Sequence, residues 1–192
     1  MRTFIAIELS REIRECLSRL QDKLKLSQAD VKWVAPLNIH LTLKFLGEID
    51  EKTSEQIKQI LQDLAAGLKE FSLNLAYIGA FPSLKSPRVI WIGIDKGDEE
   101  VKTIARALEE KLPEIGITKE DRPFSSHITL GRTRSSKNRN NLAELLESLK
   151  EKLPEATAEM KVEKITLFKS TLTPKGPIYE VLKEVFLERR DL

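Results

Sequence analysis

A four-residue pattern that occurs twice constrains this chain more than any other feature. Residues 40–43 read His-Leu-Thr-Leu and residues 127–130 read His-Ile-Thr-Leu, and His40 and His127 are the only two histidines among 192 residues. If residues were placed independently at ordinary composition, this coincidence would have a chance on the order of 10^-3 or less. The two copies therefore indicate an internal repeat in which both histidines serve one purpose.

Both motifs are predicted to lie on β-strands, because each is set among β-branched and aliphatic residues. In a strand, residues i and i+2 point to the same face. His40 is therefore expected to share a face with Thr42, and His127 with Thr129, while the aliphatic residues between them point into a core. Two strands that each offer an imidazole beside a hydroxyl suggest one site made from two halves.

The hydrophobic pattern predicts an alternation of strands and helices that runs through the chain twice. Strands are predicted at Phe4–Leu9, Val31–Leu46 with a break at Pro36 and an end at Gly47, Phe71–Ile78, Arg88–Ile94, around His127, Met160–Phe168 and Ile178–Leu187. Helices are predicted at Arg11–Leu26, at Thr53–Leu68, over the stripe from Val101 to Leu112, and over the stripe from Leu142 to Leu153, which Asn141 and Glu144 open with capping-box spacing. Loops are predicted at Phe81–Pro87 and Arg132–Asn140, and a turn at Pro174–Pro177.

The order of these elements predicts the domain organisation. Helix, His strand, helix and strands in the first half are followed by the same order in the second half, and no Pro-, Gly- or Ser-rich linker separates them. We therefore predict a single domain over residues 1–192, made of two pseudo-symmetric lobes with the active site between them.

Composition and charge exclude several classes of function. With 41% hydrophobic residues the chain is a folded globular protein, and a net charge of +2 is too small to indicate generic nucleic-acid binding. The N-terminus lacks the pattern of a signal peptide and no apolar run approaches 18 residues, so we expect a cytoplasmic protein with no membrane partner. The single cysteine, Cys16, excludes a disulfide framework and a Cys-based zinc site, and its place on an apolar helix stripe predicts a buried thiol.

Paired histidines are suited to displacement at phosphorus. Imidazole titrates near neutrality, so one ring can take a proton from the nucleophile while the other gives one to the leaving oxygen. The hydroxyls of Thr42 and Thr129, on the same faces, can donate to the non-bridging oxygens and stabilise developing charge. The residues alone do not decide which histidine is the acid.

Three other interpretations of the motif are weaker. The histidines could be structural side chains on half-buried strands, but the matched pair uses every histidine in the chain. Two histidines 87 residues apart, with no ligand Cys and no acidic residue on the same strand faces, make a poor metal site, so we expect no metal and no cofactor. A Ser-His-Asp triad is disfavoured because the Gly-x-Ser-x-Gly elbow is absent.

Residues near the second motif are candidates for substrate binding. Arg132 begins a basic segment that extends to Arg139 and is expected to bind phosphate, which favours an oligonucleotide over a small molecule. Its strand parity is opposite to that of His127, so it reaches the cleft only if the strand ends or bulges at Gly131. Phe124, three residues before His127, is predicted to stack on a base.

Residues after the first motif are assigned by parity. Lys44 has the parity of His40, which places it in the cleft or on the surface. Phe45 has the parity of the core-facing Leu41 and is predicted to lie in the core.

Four stretches of the sequence carry a family resemblance. They are Arg-Thr-Phe-Ile-Ala-Ile at 2–7, Asn-Ile-His-Leu-Thr-Leu-Lys-Phe-Leu-Gly at 38–47, Arg-Val-Ile-Trp-Ile-Gly at 88–93 and Phe-Ser-Ser-His-Ile-Thr-Leu-Gly-Arg at 124–132. With them the chain resembles, over essentially its whole length, the 2H phosphoesterase superfamily. Within it, the chain is similar to the bacterial and archaeal RNA 2',3'-cyclic phosphodiesterases, also called 2'-5' RNA ligases. One departure is Ser126, where many relatives have proline before the second histidine.

The resemblance implies a fold, a reaction and roles for named residues. The implied fold is α+β, bilobal and duplicated, with two antiparallel β-sheets and flanking helices around a central cleft. The implied reaction is metal-independent opening of an RNA 2',3'-cyclic phosphate to a 2'-phosphate, with a slow reverse reaction that joins such an end to a 5'-hydroxyl. His40 would protonate the departing 3' oxygen, His127 would activate water, and Thr42, Thr129 and Arg132 would hold the phosphate oxygens.

The expected partner is RNA with 2',3'-cyclic phosphate ends, tRNA fragments among them, and the protein is expected to be a monomer. Two alternatives stay open at this point. One is a 2H esterase that acts on a small cyclic nucleotide, of the ADP-ribose cyclic phosphate type. The other is a non-catalytic module that binds RNA ends or nucleotides.

Overall fold

The computed structural model describes residues 1–150 and 159–189, and all structural statements refer to these ranges. The strands are β1 (Arg2–Glu8), β2 (Val31–Trp33), β3 (His40–Glu48), β4 (Phe71–Ser83), β5 (Ser86–Ile94), β6 (Ile128–Thr133), β7 (Glu159–Val162), β8 (Lys164–Thr173) and β9 (Gly176–Phe186). The α-helices are α1 (Arg11–Lys25), α2 (Glu51–Ala65), α3 (Asp98–Lys111) and α4 (Arg139–Leu149), with short 3-10 turns at Pro36–Asn38 and Leu112–Ile115. Leu153, the last residue of the predicted α4 stripe, lies outside the described residues.

The strands form two antiparallel sheets that join at the two histidine strands. One sheet has the order β9-β8-β1-β3, and the other has the order β6-β5-β4-β7 with β2 added against β6. The histidine strands β3 and β6 meet at a single residue pair, Leu41 opposite Ile128, which links the sheets into one nine-stranded sheet. This arrangement confirms the predicted α+β class, and it brings the two motifs to the middle of the molecule.

Strands are exchanged between the two halves of the sequence. In the first half β4 follows α2, and it pairs with β5 on one side and with β7, from the second half, on the other. In the second half β8 pairs with β1, the first strand of the chain. Each sheet therefore contains strands from both halves, which ties the two repeats together.

The helices bury their apolar stripes against the sheets and form the main core. In α1, the Ser10 hydroxyl accepts a hydrogen bond from the Ile13 N–H at 3.3 Å and so caps the helix N-terminus. The buried residues of this helix then recur every three or four positions, at Ile13, Leu17, Leu20, Gln21 and Leu24. Full burial of each aliphatic side chain contributes about 1.5–3 kcal/mol. Cys16, beside this stripe, is half-buried, so the prediction of a buried thiol was wrong.

Several predicted boundaries were also wrong. Residues 81–87 are not a loop, because β4 continues to Ser83 and β5 starts at Ser86, with Pro82 and Pro87 paired beside the turn of this hairpin. Proline lacks the N–H that an interior strand position needs, so it is tolerated beside such a turn. Strand β3 continues past Gly47 to Glu48, and β6 extends to Thr133, which shortens the predicted basic loop.

The start of α4 also differs from the prediction. The N-cap is Asn138, in the left-handed region at φ 50°, rather than Asn141. The Asn138 side-chain amide donates to the Gln28 carbonyl at 3.0 Å, a long-range contact that the local capping-box pattern does not show. In the described residues no helix is long and apolar enough to cross a membrane.

Candidate active site

A cavity of about 630 Å³ contains both histidine motifs. It is lined by His40 and Thr42 from β3, and by His127, Thr129 and Arg132 from β6 and the residue before it. Of the six site residues predicted from the sequence, the structure therefore brings five together. These residues are far apart in the sequence. They meet in the structure because β3 and β6 are neighbours in the sheet.

Each imidazole is held by a hydrogen bond to the carbonyl two residues before it. The Nδ1 atom of His40 lies 2.7 Å from the Asn38 carbonyl oxygen, and Nδ1 of His127 lies 2.7 Å from that of Ser125. Because a carbonyl oxygen can only accept, Nδ1 must carry the proton and donate it in both rings. This leaves Nε2 of each neutral ring free to accept a proton, or to give one up when the ring is charged.

Aromatic side chains from the neighbouring strands support both imidazoles. The ring of Phe4 on β1 stacks on His40 at a centroid distance of 4.8 Å, and the ring of Trp91 on β5 lies 6.3 Å from His127. Phe4 and Trp91 are 87 residues apart, which is also the separation of the two histidines. The repeat thus includes the aromatic supports as well as the motifs.

Burial lowers the pKa of the first histidine. Loss of solvent lowers the pKa of His40 from its usual value of 6.5, and the hydrogen bond to the Asn38 carbonyl offsets this only partly. Burial also raises the pKa of the neighbouring Tyr179, against the effect of the positive charge of Arg2. In the free protein His40 is therefore held toward the neutral form, and a bound phosphate anion would favour its charged form.

A β-bulge follows each motif and decides which later side chains reach the cavity. The pairing of β1 with β3 skips Leu43, and the pairing of β5 with β6 skips Leu130, each three residues after its histidine. An extra residue reverses the strand parity beyond it. Arg132, five residues after His127, consequently lines the cavity. The sequence suggested a bulge at Gly131, and the structure has it one residue earlier, at Leu130.

The bulge at Leu43 also overturns two parity-based predictions. Phe45 is not in the core: its side chain is 59% exposed and lines the cavity. Lys44 is buried on the opposite face of the sheet rather than in the cleft or at the surface, and its Nζ lies 2.6 Å from Glu109 Oε1 and 2.9 Å from the Thr118 carbonyl oxygen.

Phe124 was predicted to stack on a base, but the structure places it elsewhere. Its side chain is half-buried, packs against the main core and does not line the described cavity. The segment before β6 is held on the helical side of the sheet, where the Thr118 carbonyl accepts a hydrogen bond from Lys44, so an adjacent position in sequence does not bring Phe124 beside His127. The aromatic residues that do line the cavity are Phe4, Trp33, Phe45 and Tyr179.

The sequence offered a signal for only some of these additional residues. The spacing of 87 residues that links Phe4 to Trp91 is a signal that could have identified both, whereas Tyr179 lies on β9 with no matching motif. Cations also line the cavity, at Arg2, Lys32 and Lys175. Across residues 1–150 and 159–189, no group of three or more His, Cys, Asp or Glu side chains is arranged to hold a metal ion.

Comparison with known proteins agrees with this geometry. The sequence model of the LigT-like phosphoesterases matches the chain twice, over residues 7–91 and 92–179, so each match contains one histidine motif. An RNA 2',3'-cyclic phosphodiesterase of Methanocaldococcus jannaschii is 39% identical over 184 residues, which cover 96% of this chain and 99% of the relative. A protein of the same name from Methanothermobacter thermautotrophicus is 36% identical over 186 residues, with 97% and 98% coverage.

Solved structures show the same fold. The protein TT0787 of Thermus thermophilus superposes with a TM-score of 0.80 at 30% identity, covering 97% of this chain and 98% of the other. E. coli LigT in complex with 3'-AMP superposes with a TM-score of 0.79 at 28% identity, covering 97% of both chains. On the double family match, the near full-length relatives and the paired motifs in one cavity, this chain belongs to the LigT-like phosphoesterase family of the 2H superfamily.

Proposed function

We propose that this protein hydrolyses the 2',3'-cyclic phosphate ends of RNA to 2'-phosphates without a metal ion. The observation that carries the proposal is that two strands far apart in the sequence contribute to one cavity, which is lined by His40, Thr42, His127 and Thr129. Support also comes from the relatives described above, which bear the name of this activity and align over nearly the whole chain.

In the proposed mechanism the two histidines act on opposite sides of phosphorus. Nε2 of His127 takes a proton from water, the water oxygen forms a bond to phosphorus, and the bond from phosphorus to O3' breaks while charged His40 gives its Nε2 proton to O3'. The direction follows the family resemblance. It is also favoured by burial, because a lowered pKa makes charged His40 a stronger acid toward the leaving oxygen.

Three further side chains have proposed roles at the phosphate. The hydroxyls of Thr42 and Thr129 donate to the non-bridging oxygens, and the Arg132 guanidinium balances their charge. Each donor of this kind contributes about 2–4 kcal/mol to transition-state stabilisation. If the 5'-hydroxyl of another RNA takes the place of water, the same proton transfers produce a 2'-5' linkage.

The cavity wall favours an RNA end over a smaller substrate. Arg2, Lys32 and Lys175 add positive charge around the site, and Trp33 and Phe45 offer aromatic surface for a base. We propose a single domain whose active site lies between its two lobes. We further propose that it is a cytoplasmic monomer acting on RNA fragments, tRNA fragments included.

The test is incubation of the protein, in EDTA, with an oligoribonucleotide that ends in a 2',3'-cyclic phosphate. We expect conversion to the 2'-phosphate, which a 3'-phosphate-specific phosphatase leaves intact. Turnover of a cyclic mononucleotide or of ADP-ribose cyclic phosphate, but not of the oligomer, would instead indicate a small-molecule esterase. Tight binding with no turnover of any of these substrates would indicate a non-catalytic module.

A further inference from the structure

Three aromatic side chains lie together beside His127 but outside the main cavity. Tyr77 and Phe81 are on β4, and Trp91 is on β5 between them. The ring of Trp91 has centroid distances of 5.8 Å to Tyr77 and 5.0 Å to Phe81. Phe81 in turn lies 5.4 Å from the His127 imidazole, edge to face. We refer to Tyr77, Phe81 and Trp91 as the aromatic platform, and it is continuous with the active site through His127.

Two glycines allow these rings to lie close to the sheet. A Cβ atom on Gly79 would come within 2.3 Å of the Trp91 ring, and one on Gly93 would come within 2.4 Å of the Tyr77 ring. Glycine within a strand weakens it and marks a place where another group must approach closely. Glycine at these two positions lowers the stability of the strands, and it leaves space for the large rings on one face of the sheet.

The corresponding aromatic cluster beside His40 is closed, whereas the platform is open. On that side Phe4 and Phe168 are only 4% and 7% exposed and form a small core of their own. On the platform Tyr77 is 46% exposed and Phe81 is 39% exposed. Support of an imidazole therefore does not require exposed rings, and the open faces of the platform need another explanation.

We propose that the aromatic platform binds a nucleobase of single-stranded RNA on the nucleophile side of phosphorus, an inference that rests on the function proposed above. Exposed aromatic faces stack on any base, which is how many sheets bind single-stranded RNA. Cross-strand neighbours place phosphate-binding groups next to the platform: Trp91 is opposite Thr129, and Val89, which is opposite Phe81, is also opposite Arg132.

The position of the platform relative to the cavity indicates which nucleoside binds to the platform. Most of the cavity wall belongs to β1, β3, β8 and β9 on the His40 side, which suits the nucleoside that carries the cyclic phosphate. The platform lies beyond His127, where the nucleophile enters. Its occupant is the nucleoside with a 5'-hydroxyl: O5' bonds to phosphorus, the bond to O3' breaks, His127 receives the 5'-hydroxyl proton and His40 protonates O3'.

Fluorescence of Trp91 gives a direct test of the platform. The chain has two tryptophans, so Trp33→Phe leaves Trp91 as the single tryptophan. The probe is an oligoadenylate with hydroxyls at both ends, titrated in the presence of excess 2'-AMP to fill the main cavity. We expect the probe to quench Trp91, and Tyr77→Ala or Phe81→Ala to raise its Kd by about fivefold or more.

Two matched variants separate stacking from general loss of apolar surface. Phe186→Ala removes another exposed aromatic side chain, at the far end of β9, and should bind the probe like its parent. Tyr77→Leu keeps apolar bulk without an aromatic face and should behave like Tyr77→Ala. Absence of quenching, or equal Kd values in parent and alanine variants, would overturn the proposal that the platform binds a nucleobase.

Hydrolysis of the cyclic phosphate substrate is measured on the protein with Trp33 in place, because Trp33 lines the cavity, so the two proposals can fail separately. Hydrolysis without platform binding refutes the platform alone. Binding that responds to the alanine variants, in a protein that hydrolyses no cyclic phosphate, supports the platform and refutes the proposed function.

Discussion

The side-chain amide of Gln21 donates hydrogen bonds to the carbonyl oxygens of Leu130, at 2.9 Å, and Val34, at 2.8 Å. Gln21 is fully buried on α1, and Leu130 is the residue at which β6 bulges. The Leu130 carbonyl also accepts from the Val34 N–H at 2.8 Å. Helix α1 therefore fixes the backbone distortion that brings Arg132 into the cavity.

Replacement of Gln21 by leucine should destabilise the protein and disturb the site. The variant removes the side-chain donor from the Val34 carbonyl and one of two donors from the Leu130 carbonyl, which costs about 1–3 kcal/mol in the free energy of unfolding. Urea denaturation measures this loss, and KM for the RNA substrate should rise because Arg132 is held less firmly. Gln59→Leu is the matched control: Gln59 is exposed on α2 and donates to the Asp63 carboxylate. Equal losses in the two variants would contradict a specific role for Gln21.

Loss of either histidine should remove most of the activity. With one imidazole missing, one of the two proton transfers at phosphorus has no partner, so His40→Ala and His127→Ala should each lower kcat by about 100-fold or more. The assay is initial-rate hydrolysis of the cyclic phosphate oligomer at pH 7. A variant whose rate stays within a few-fold of the parent rate would show that the replaced histidine does not transfer a proton in the reaction.

The lowered pKa of His40 should be visible as a pH dependence of stability. The folded protein holds this ring neutral at pH values where the unfolded chain, with a pKa near 6.5, already binds a proton. Unfolded molecules thus carry the extra proton between the two pKa values, and the free energy of unfolding falls as pH drops through 6.5 toward the folded-state pKa. Above 6.5 both states are neutral and this contribution is fully present.

Two measurements check this prediction. Because the chain has only two histidines, an imidazole NMR titration resolves both, and the His40 signal should titrate below pH 6.5. Urea denaturation at several pH values between 5.5 and 7.5 should show a slope that His40→Asn reduces. A His40 titration midpoint at or above 6.5 would show that burial does not control this ring.

The sequence predicted the site where local spacing and repetition were sufficient. The His-x-Thr motifs identified His40, Thr42, His127 and Thr129 as neighbours, because a strand places residues i and i+2 on one face and the repeat supplied two such strands. The distance of 87 residues also relates Phe4 to Trp91, although neither has a motif of its own. Repetition is therefore informative even where the residue type changes.

The sequence failed where a distant contact decides the local backbone. No glycine or proline marks the bulge at Leu43, so the positions of Lys44 and Phe45 were assigned to the wrong faces. The segment before Phe124, which packs against the core, is held by contacts with Lys44 on β3 and Glu109 on α3. Likewise, the exchange of β4 and β8 between the sheets depends on pairing over long separations, which periodicity does not encode.

Lys44 should contribute to stability even though it does not face the cavity. Its buried ammonium group contacts Glu109 at 2.6 Å and the Thr118 carbonyl at 2.9 Å, and thereby holds the segment that leads to His127. Lys44→Met leaves a partly buried carboxylate without its cation. Glu109 is about one quarter exposed. We therefore expect the free energy of unfolding to fall by about 2–3 kcal/mol, at the lower end for a broken buried ion pair.

The matched control for this prediction is Lys58→Met. Lys58 forms an equally short ion pair with Glu55, at 2.6 Å, but on the solvent-exposed surface of α2. Exposed pairs contribute about 0–1 kcal/mol, so this control should unfold at nearly the parent urea concentration. Adding Glu109→Leu to Lys44→Met should recover part of the lost stability, because the uncompensated charge is then removed. If Lys44→Met were no more destabilising than Lys58→Met, burial would not be what makes this pair important.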